Sequence, residues 1–238
     1  MEDYIKALRN MVDSSGRIVF FGGAGVSTES GIPDFRSENG IYDAIRRFGE
    51  RPETLLSHSF FMGHTERFFQ YYRSALLVTD VQPNAAHLAL AQLEREGKLQ
   101  AVITQNIDGL HQAAGSKNVL ELHGSIHRCY CMRCGRPYPA ERVNHGTGVP
   151  HCDCGGIIRP DIVFYEECLD DDVVSRAVHY IREAEVLIVD LLDIQHHEVR
   201  VLHEFFPLFK PAFFLRKGSA AGIERRMNSF FLSLSEKL

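Results

Sequence analysis

Two short cysteine pairs carry the most specific chemistry in the chain. Cys131-Met132-Arg133-Cys134 and Cys152-Asp153-Cys154 stand on either side of a polar linker. Four thiolates in two pairs match a closed tetrahedral zinc site, in which each pair makes a turn and the metal substitutes for a core too small to exist. The second pair has one intervening residue instead of two. A shell of four cysteines leaves no open position, so the zinc is expected to be structural. Cys129 is a rival ligand close by and is read as a bystander; Cys168 is read as a small packed side chain.

A second chemistry lies in Gly22-Gly23-Ala24-Gly25, which follows the apolar, β-branched run Arg17–Phe21. A strand, a glycine turn and then Ser27 or Thr28 opening a helical turn make an anion site, where free N–H groups and the helix dipole favour a diphosphate. Thr28 stands where the dinucleotide fingerprint wants a third glycine, so the turn alone is equally a bland feature of an α/β protein. Gln105-Asn106-Ile107-Asp108-Gly109 ends another apolar run, Ala101–Thr104, in the position where open α/β sheets bind ligands. Asn106 can donate and accept, suiting a carboxamide or a ribose, and Asp108 offers acceptors; an ordinary turn would use the same residues. His123 ends a third run, Val119–Leu122, beside Gly124. An imidazole there can take a hydroxyl proton near neutral pH, although it is one of twelve histidines.

Alternating strands and helices must position these groups. Residues 2–13 put Ile5, Leu8 and Val12 on one helical face. Residues 37–80 read as helices and loops whose aromatic face, Phe60, Phe61, Phe68, Phe69 and Tyr72, is expected to be core. Asn84 reads as an N-cap, with Leu88 and Leu93 on the apolar side of its helix, Gly97 as its stop and His87 as a structural residue. Ile162–Tyr165 reads as a strand edge that either pairs with an extended peptide or is an ordinary strand. Asp170–Asp172 open a helix burying Val174, Ala177, Val178 and Ile181, and Val186–Val189 form one more parallel strand.

At 238 residues and 45% apolar, the chain can bury one large domain with a small satellite. A net charge of −5 speaks against nucleic acid as a partner. No apolar run reaches membrane-spanning length, and Met1-Glu2-Asp3-Tyr4 lacks the basic and apolar regions of a signal peptide. A cytoplasmic protein with reduced cysteines and no membrane partner is expected. Oligomeric state is not legible.

Gly-Ala-Gly-Val-Ser-Thr-Glu-Ser-Gly-Ile-Pro-Asp-Phe-Arg-Ser, from Gly23 to Ser37, resembles the opening signature of the sirtuins, the NAD-dependent protein deacylases. Thr104-Gln105-Asn106-Ile107-Asp108-Gly109-Leu110-His111 is similar to their second signature, and Glu121-Leu122-His123-Gly124-Ser125 looks like their catalytic-base motif. The resemblance implies a Rossmann-like doubly wound parallel sheet from residues 1–36, 81–124 and 159–238. A helical module with a mobile cofactor loop over 37–80 and a zinc ribbon over 125–158 would be inserted in it. It implies NAD held by Gly23, Ala24, Gly25, Thr28, Asp34, Phe35, Arg36, Gln105, Asn106 and Asp108. His123 would be the base, and Ile162, Val163, Phe164 and Tyr165 would clasp an acyl-lysine peptide. In that mechanism the acyl oxygen attacks the ribose carbon bearing nicotinamide, His123 deprotonates a ribose hydroxyl, and the acyl group passes to ADP-ribose.

The resemblance covers residues 1–189. A sirtuin then shows Gly-Thr-Ser and, later, the residues that hold the adenosine; this chain has Asp190-Leu191-Leu192-Asp193. Asp190 would place a carboxylate near a negative cofactor, which is electrostatically unfavourable. The tail reads either as the product of a shifted reading frame or as a variant with a helix built on Val199, Leu202, Phe205 and Phe206 and ended by Pro207. His196-His197 is not read as a metal site, because adjacent side chains point different ways. Two alternatives to a deacylase follow: a catalytically impaired acyl-peptide-binding module, or a mono-ADP-ribosyltransferase using the same site.

Overall fold

The computed structural model describes residues 2–33, 38–77, 80–191 and 212–216. Its main sheet has five parallel strands: β1 (Ile18–Gly22), β2 (Leu99–Thr104), β3 (Val119–Glu121), β7 (Val186–Leu191) and β8 (Ala212–Arg216). They are ordered β3-β2-β1-β7-β8. The order reverses between β1 and β7, and the crevice outside the carboxyl ends of these two strands is where a doubly wound sheet takes a ligand. A second, antiparallel sheet contains β4 (Gly124–Cys131), β5 (Pro137–Pro139) and β6 (Ile158–Ile162) in the order β5-β4-β6.

Alternation along β1 builds two cores. Ile18 and Phe20 face helices α1 (Glu2–Ser14) and α7 (Ala85–Arg95), packing with Leu8, Val12 and Leu90. Val19 and Phe21 face the opposite side, with Ala177 and Ile181 of α10 (Asp171–Glu183). All five β1 residues are buried, as a parallel strand covered on both faces requires. The turn after β1 leads directly into the short helix α2 (Ala24–Thr28), which opens at Ala24 with Gly23 as its cap. Ser27 and Thr28, the expected start, are instead its last two residues, because the backbone turns into helix already at the glycines.

Between β1 and β2 lie α3 (Glu38–Phe48), α4 (Pro52–Leu55), α5 (His58–Gly63), α6 (Thr65–Tyr71) and a π-type turn at Tyr72–Leu76. The expected aromatic face is core: Phe61, Phe68 and Phe69 pack edge to face with ring centroids 4.9–6.0 Å apart. This core is shared with the antiparallel sheet, since Ile126, Cys129, Val143, Ile158 and Phe164 belong to the same cluster. Tyr72 Oη donates to Asn144 Oδ1 at 3.1 Å and Arg73 Nε to Val143 O at 2.8 Å, binding the helices to α9 (Glu141–Asn144).

Three local expectations change. Leu88 is 49% exposed, because the helical face of α7 toward the sheet is supplied by Ala86, Ala89, Leu90 and Leu93. Cys168 is exposed instead of packed. The strand expected at Ile162–Tyr165 lies four residues earlier, in β6, which ends at Ile162. Beyond it Tyr165 makes only an isolated parallel bridge to Ser57.

Asn84 caps α7 as expected, accepting from the amides of Ala86 and His87, while its own amide donates to His87 Nδ1 at 3.3 Å. His87 packs against His111 with ring centroids 4.7 Å apart, and His111 against Phe20 at 5.9 Å. Both histidines are buried, and burial holds His87 down at about 4 and His111, further opposed by His87, at about 3. The folded protein therefore binds fewer protons than the unfolded chain in mild acid, where an ordinary histidine titrates near 6.5. The stability these rings contribute is complete above that value and is lost as pH falls from 6.5 toward 4. Urea unfolding at pH 7.5 and 5.5 should show a loss of about 1 kcal/mol per ring at the lower pH. A His87→Gln/His111→Phe double variant should flatten that dependence; an unchanged slope would reassign it to other groups.

Candidate active site and metal centre

At the carboxyl ends of β1, β2 and β3 the polar residues converge. Gly23 N donates to Asp190 O at 3.0 Å, and Gln105 N to Gly22 O at 3.0 Å, so the turn after β1 is tied to both neighbouring strands. Asn106 Nδ2 donates to Gly23 O and to Ser27 Oγ, each at 2.9 Å. Ser27 Oγ in turn donates to Asp108 Oδ2 at 2.7 Å, while Asp108 Oδ1 accepts from Leu110 N at 2.9 Å. Both amide hydrogens of Asn106 are thus committed within the protein, and Oδ1 is the atom it offers a ligand. The sequence reading, in which Asn106 both donates and accepts, narrows to an acceptor. Ser27, read only as a helix start, is a buried link of this network; its place inside the Gly-Val-Ser stretch was the signal.

His123 follows β3, and its Nδ1 lies 2.9 Å from Gln105 O. A carbonyl only accepts, so Nδ1 carries the proton and the basic lone pair of the neutral ring is on Nε2. Gly124 holds the next position at φ 75°, and a Cβ there would meet Asp161 O at 2.0 Å. Only glycine permits β4 to start so close to β6 beside the imidazole. Gln105 contributes its main chain to both the turn and the histidine. Thr28 Oγ1 donates to Gly25 O at 2.9 Å, within its own helix. Asp34, Phe35 and Arg36 lie outside the described residues. Asp190, at the end of β7 opposite Gly22, is 3% exposed and sits at the strand-order reversal.

Cys131, Cys134, Cys152 and Cys154 place their sulfurs within 4.8 Å of one another. Cys131 Sγ and Cys154 Sγ are 3.5 Å apart, and Cys134 Sγ and Cys152 Sγ 3.7 Å. A regular tetrahedron with Zn–S bonds near 2.3 Å has sulfur edges of about 3.8 Å, so the set fits a zinc ion. The unequal spacing of the two pairs has a local cause. Gly135 N closes onto Cys131 O at 2.9 Å and Gly155 N onto Cys152 O at 2.8 Å, so the second turn is the first made one residue tighter. The Cys154 amide and the Tyr138 hydroxyl hold the Cys152 thiol down at about 6. Cys154 is lowered by the Gly156 amide but is nevertheless pushed up to about 12 by the Cys152 side chain and burial. Thiolates this close need a cation to ionise together. Cys129 is buried in the shared core and does not join the cluster of four sulfurs; burial pushes its thiol up to about 11.

Residues 23–190 match the Sir2 family profile. The chain belongs to the Sir2 family. An NAD-dependent protein deacetylase of Clostridium acetobutylicum is 58% identical over 189 residues, which are 79% of this chain and 77% of that one. A relative of the same name from Cutibacterium acnes is 47% identical over 199 residues, covering 84% and 82%. A solved Sir2 protein with p53 peptide and NAD+ has a TM-score of 0.81 at 31% identity, with 98% of each chain covered. Another, bound to a propionylated peptide, has a TM-score of 0.79 at 31% identity and the same coverage. The Sir2 profile match ends at Asp190, one residue beyond the stretch in which the sirtuin motifs are found. Among the described residues no helix is long and apolar enough to cross a membrane.

Metal analysis of the purified chain should find one zinc ion per molecule. Cys152→Ser should release it and cost solubility, because the β4–β6 region folds with its metal. A zinc-free preparation that keeps its fold would remove the metal from this site.

Proposed function

We propose that this chain is an NAD-dependent protein-lysine deacetylase or deacylase that releases nicotinamide and forms O-acyl-ADP-ribose. The observation that carries the reading is the oriented His123, tied through the Gln105 carbonyl to the neighbouring Asn106–Ser27–Asp108 network, at the carboxyl ends of β1, β2 and β3. NAD, when bound, supplies a ribose carbon open to attack by the acyl oxygen as nicotinamide leaves, and a hydroxyl that accepts the acyl group. Gly23, Ala24 and Gly25 would line the diphosphate with backbone N–H groups. Asn106 Oδ1 would accept from the carboxamide, and Asp108, fixed by Ser27 and the Leu110 amide, would orient the ribose side. His123 Nε2 would take the hydroxyl proton, while the Gln105 carbonyl stabilises the imidazolium through Nδ1. Thr28, Asp34, Phe35, Arg36 and Gln105 complete the assigned cofactor residues, Cys131, Cys134, Cys152 and Cys154 the structural zinc set. An acyl-lysine peptide would run along Ile162–Tyr165.

His123→Ala should lower deacetylation of an acetyl-lysine peptide by about 10²–10⁴-fold while zinc content and fold persist. Activity within a few-fold of the parent would reassign the base.

Asp190 favours a second reading, an acyl-peptide-binding module with impaired catalysis. It stands on β7 opposite Gly22, beside the strand-order reversal, and a buried carboxylate so near a dinucleotide phosphate would weaken binding by repulsion. Calorimetric titration should show Asp190→Ser binding NAD several-fold more tightly than the parent. Micromolar binding by the parent, unchanged in the variant, would remove the impaired reading.

A further inference from the structure

Arg159 is 3% exposed, and among the described residues its charge is met by one carboxylate, Glu167. Its Nη1 donates to Glu167 Oε1 at 2.6 Å and its Nη2 to Glu167 Oε2 at 2.9 Å, a two-point fork. Nη2 also donates to Ile162 O at 2.7 Å, and Glu167 Oε2 accepts from Phe164 N at 2.9 Å. The pair therefore grips the main chain on both sides of Val163. The guanidinium lies 3.7 Å from the Phe164 ring centroid, and the Phe164 ring packs 4.9 Å from Phe68 and 5.2 Å from Phe61. His58 Nδ1 meets Glu167 Oε1 at 2.9 Å, joining α5 to the same carboxylate. Within this grip Ile162 and Phe164 are buried, while Val163 is half-buried and Tyr165 exposed. Val163 N donates to His123 O at 3.0 Å, which places the gripped residue one hydrogen bond from the base.

We infer that the Arg159–Glu167 ion pair is the positioning device of the peptide-binding segment, fixing Val163 and Tyr165 outward and in register with His123 before any peptide arrives. The inference rests on the reading of Ile162–Tyr165 as the acyl-peptide segment. Removing one member alone leaves a buried charge unmatched and threatens the fold, whereas replacing both by apolar residues of similar size does not. The pair thus contributes through geometry: a bare apolar contact could fill the space, but it could not hold Ile162 O and Phe164 N on opposite sides of one residue. Neither side chain touches the NAD-binding crevice through any of these bonds.

The test separates peptide from cofactor. In an Arg159→Met/Glu167→Met double variant, KM for an acetyl-lysine peptide should rise about tenfold or more, with NAD affinity and zinc content within about twofold of the parent. Arg159→Lys, which keeps the charge but loses the fork, should fall between the two. A folded double variant whose peptide KM stays within about twofold of the parent would overturn the inference. Hydrogen exchange on the parent chain needs no variant: the Phe164 and Val163 amides should already exchange slowly without peptide. Fast exchange at both, slowing only when peptide is added, would show that the segment is ordered by its ligand and overturn the inference too. A parent chain inactive on every acyl peptide would sink the deacylase reading, while exchange in the free chain still decides the positioning claim.

Discussion

The joint at Gly22–Gly23 is the contact on which the rest of the active region depends. There the carboxyl end of β1 is hydrogen-bonded to β7 through Gly23 N and Asp190 O, and to the chain leaving β2 through Gly22 O and Gln105 N. Each functional group is measured from that joint. Asn106 reaches back to Gly23 O, Ser27 bridges Asn106 to Asp108, and the Gln105 carbonyl that the joint orients is the one that fixes the tautomer of His123. A parallel strand buried on both faces resists slippage, because a shift of one residue would exchange the residues of its two cores. The precision of the site is inherited from that burial.

A second constraint governs the other half of the molecule. The helices after β1 and the cysteine-bearing sheet are separated by some fifty residues of sequence, yet one aromatic core serves both. Phe164 stands in that core, immediately after β6, under the guanidinium of Arg159. The residues expected to meet the peptide are therefore built on the same packing that surrounds the zinc ligands. Glu166 adds a local sign of how tightly this corner is held. It adopts φ 76°, a region that disfavours side chains, and its carboxylate accepts from Ser59 N and Ser59 Oγ at the start of α5.

The tail joins the structure in one described place. Ala212–Arg216 forms β8 and pairs in parallel with β7, so this stretch extends the sheet beyond the limit of the Sir2 profile match. The helix read from Val199 to Phe206 lies outside the described residues. Asp190 remains the point where the chain departs from the sirtuin pattern, and it occupies the strand-order reversal itself.

Much was determined by sequence alone, because it depends on neighbours in the chain. The two cysteines of each pair are brought together by a turn a few residues long, the Asn84 cap by its own helix start, and the parallel strands by apolar runs too short for helices, while the pairing of β4 with β6 joins the two cysteine pairs. His123, Asn106 and Asp108 were legible as strand-end polar residues, and the sirtuin-like motifs around them supplied the roles proposed for them. Tertiary structure decided what depends on partners far away in sequence. It ended β6 at Ile162, where Phe164 is drawn into an aromatic core and Val163 N bonds to His123 O. It turned Leu88 outward, left Cys168 exposed, and closed both amide hydrogens of Asn106 onto residues from the first strand's turn. It also brought Arg159 and Glu167, never singled out in the sequence, into a buried pair. Hydrophobic period reports which face of an element is apolar; it carries no information on which distant donor meets which acceptor, and that pairing sets the active geometry.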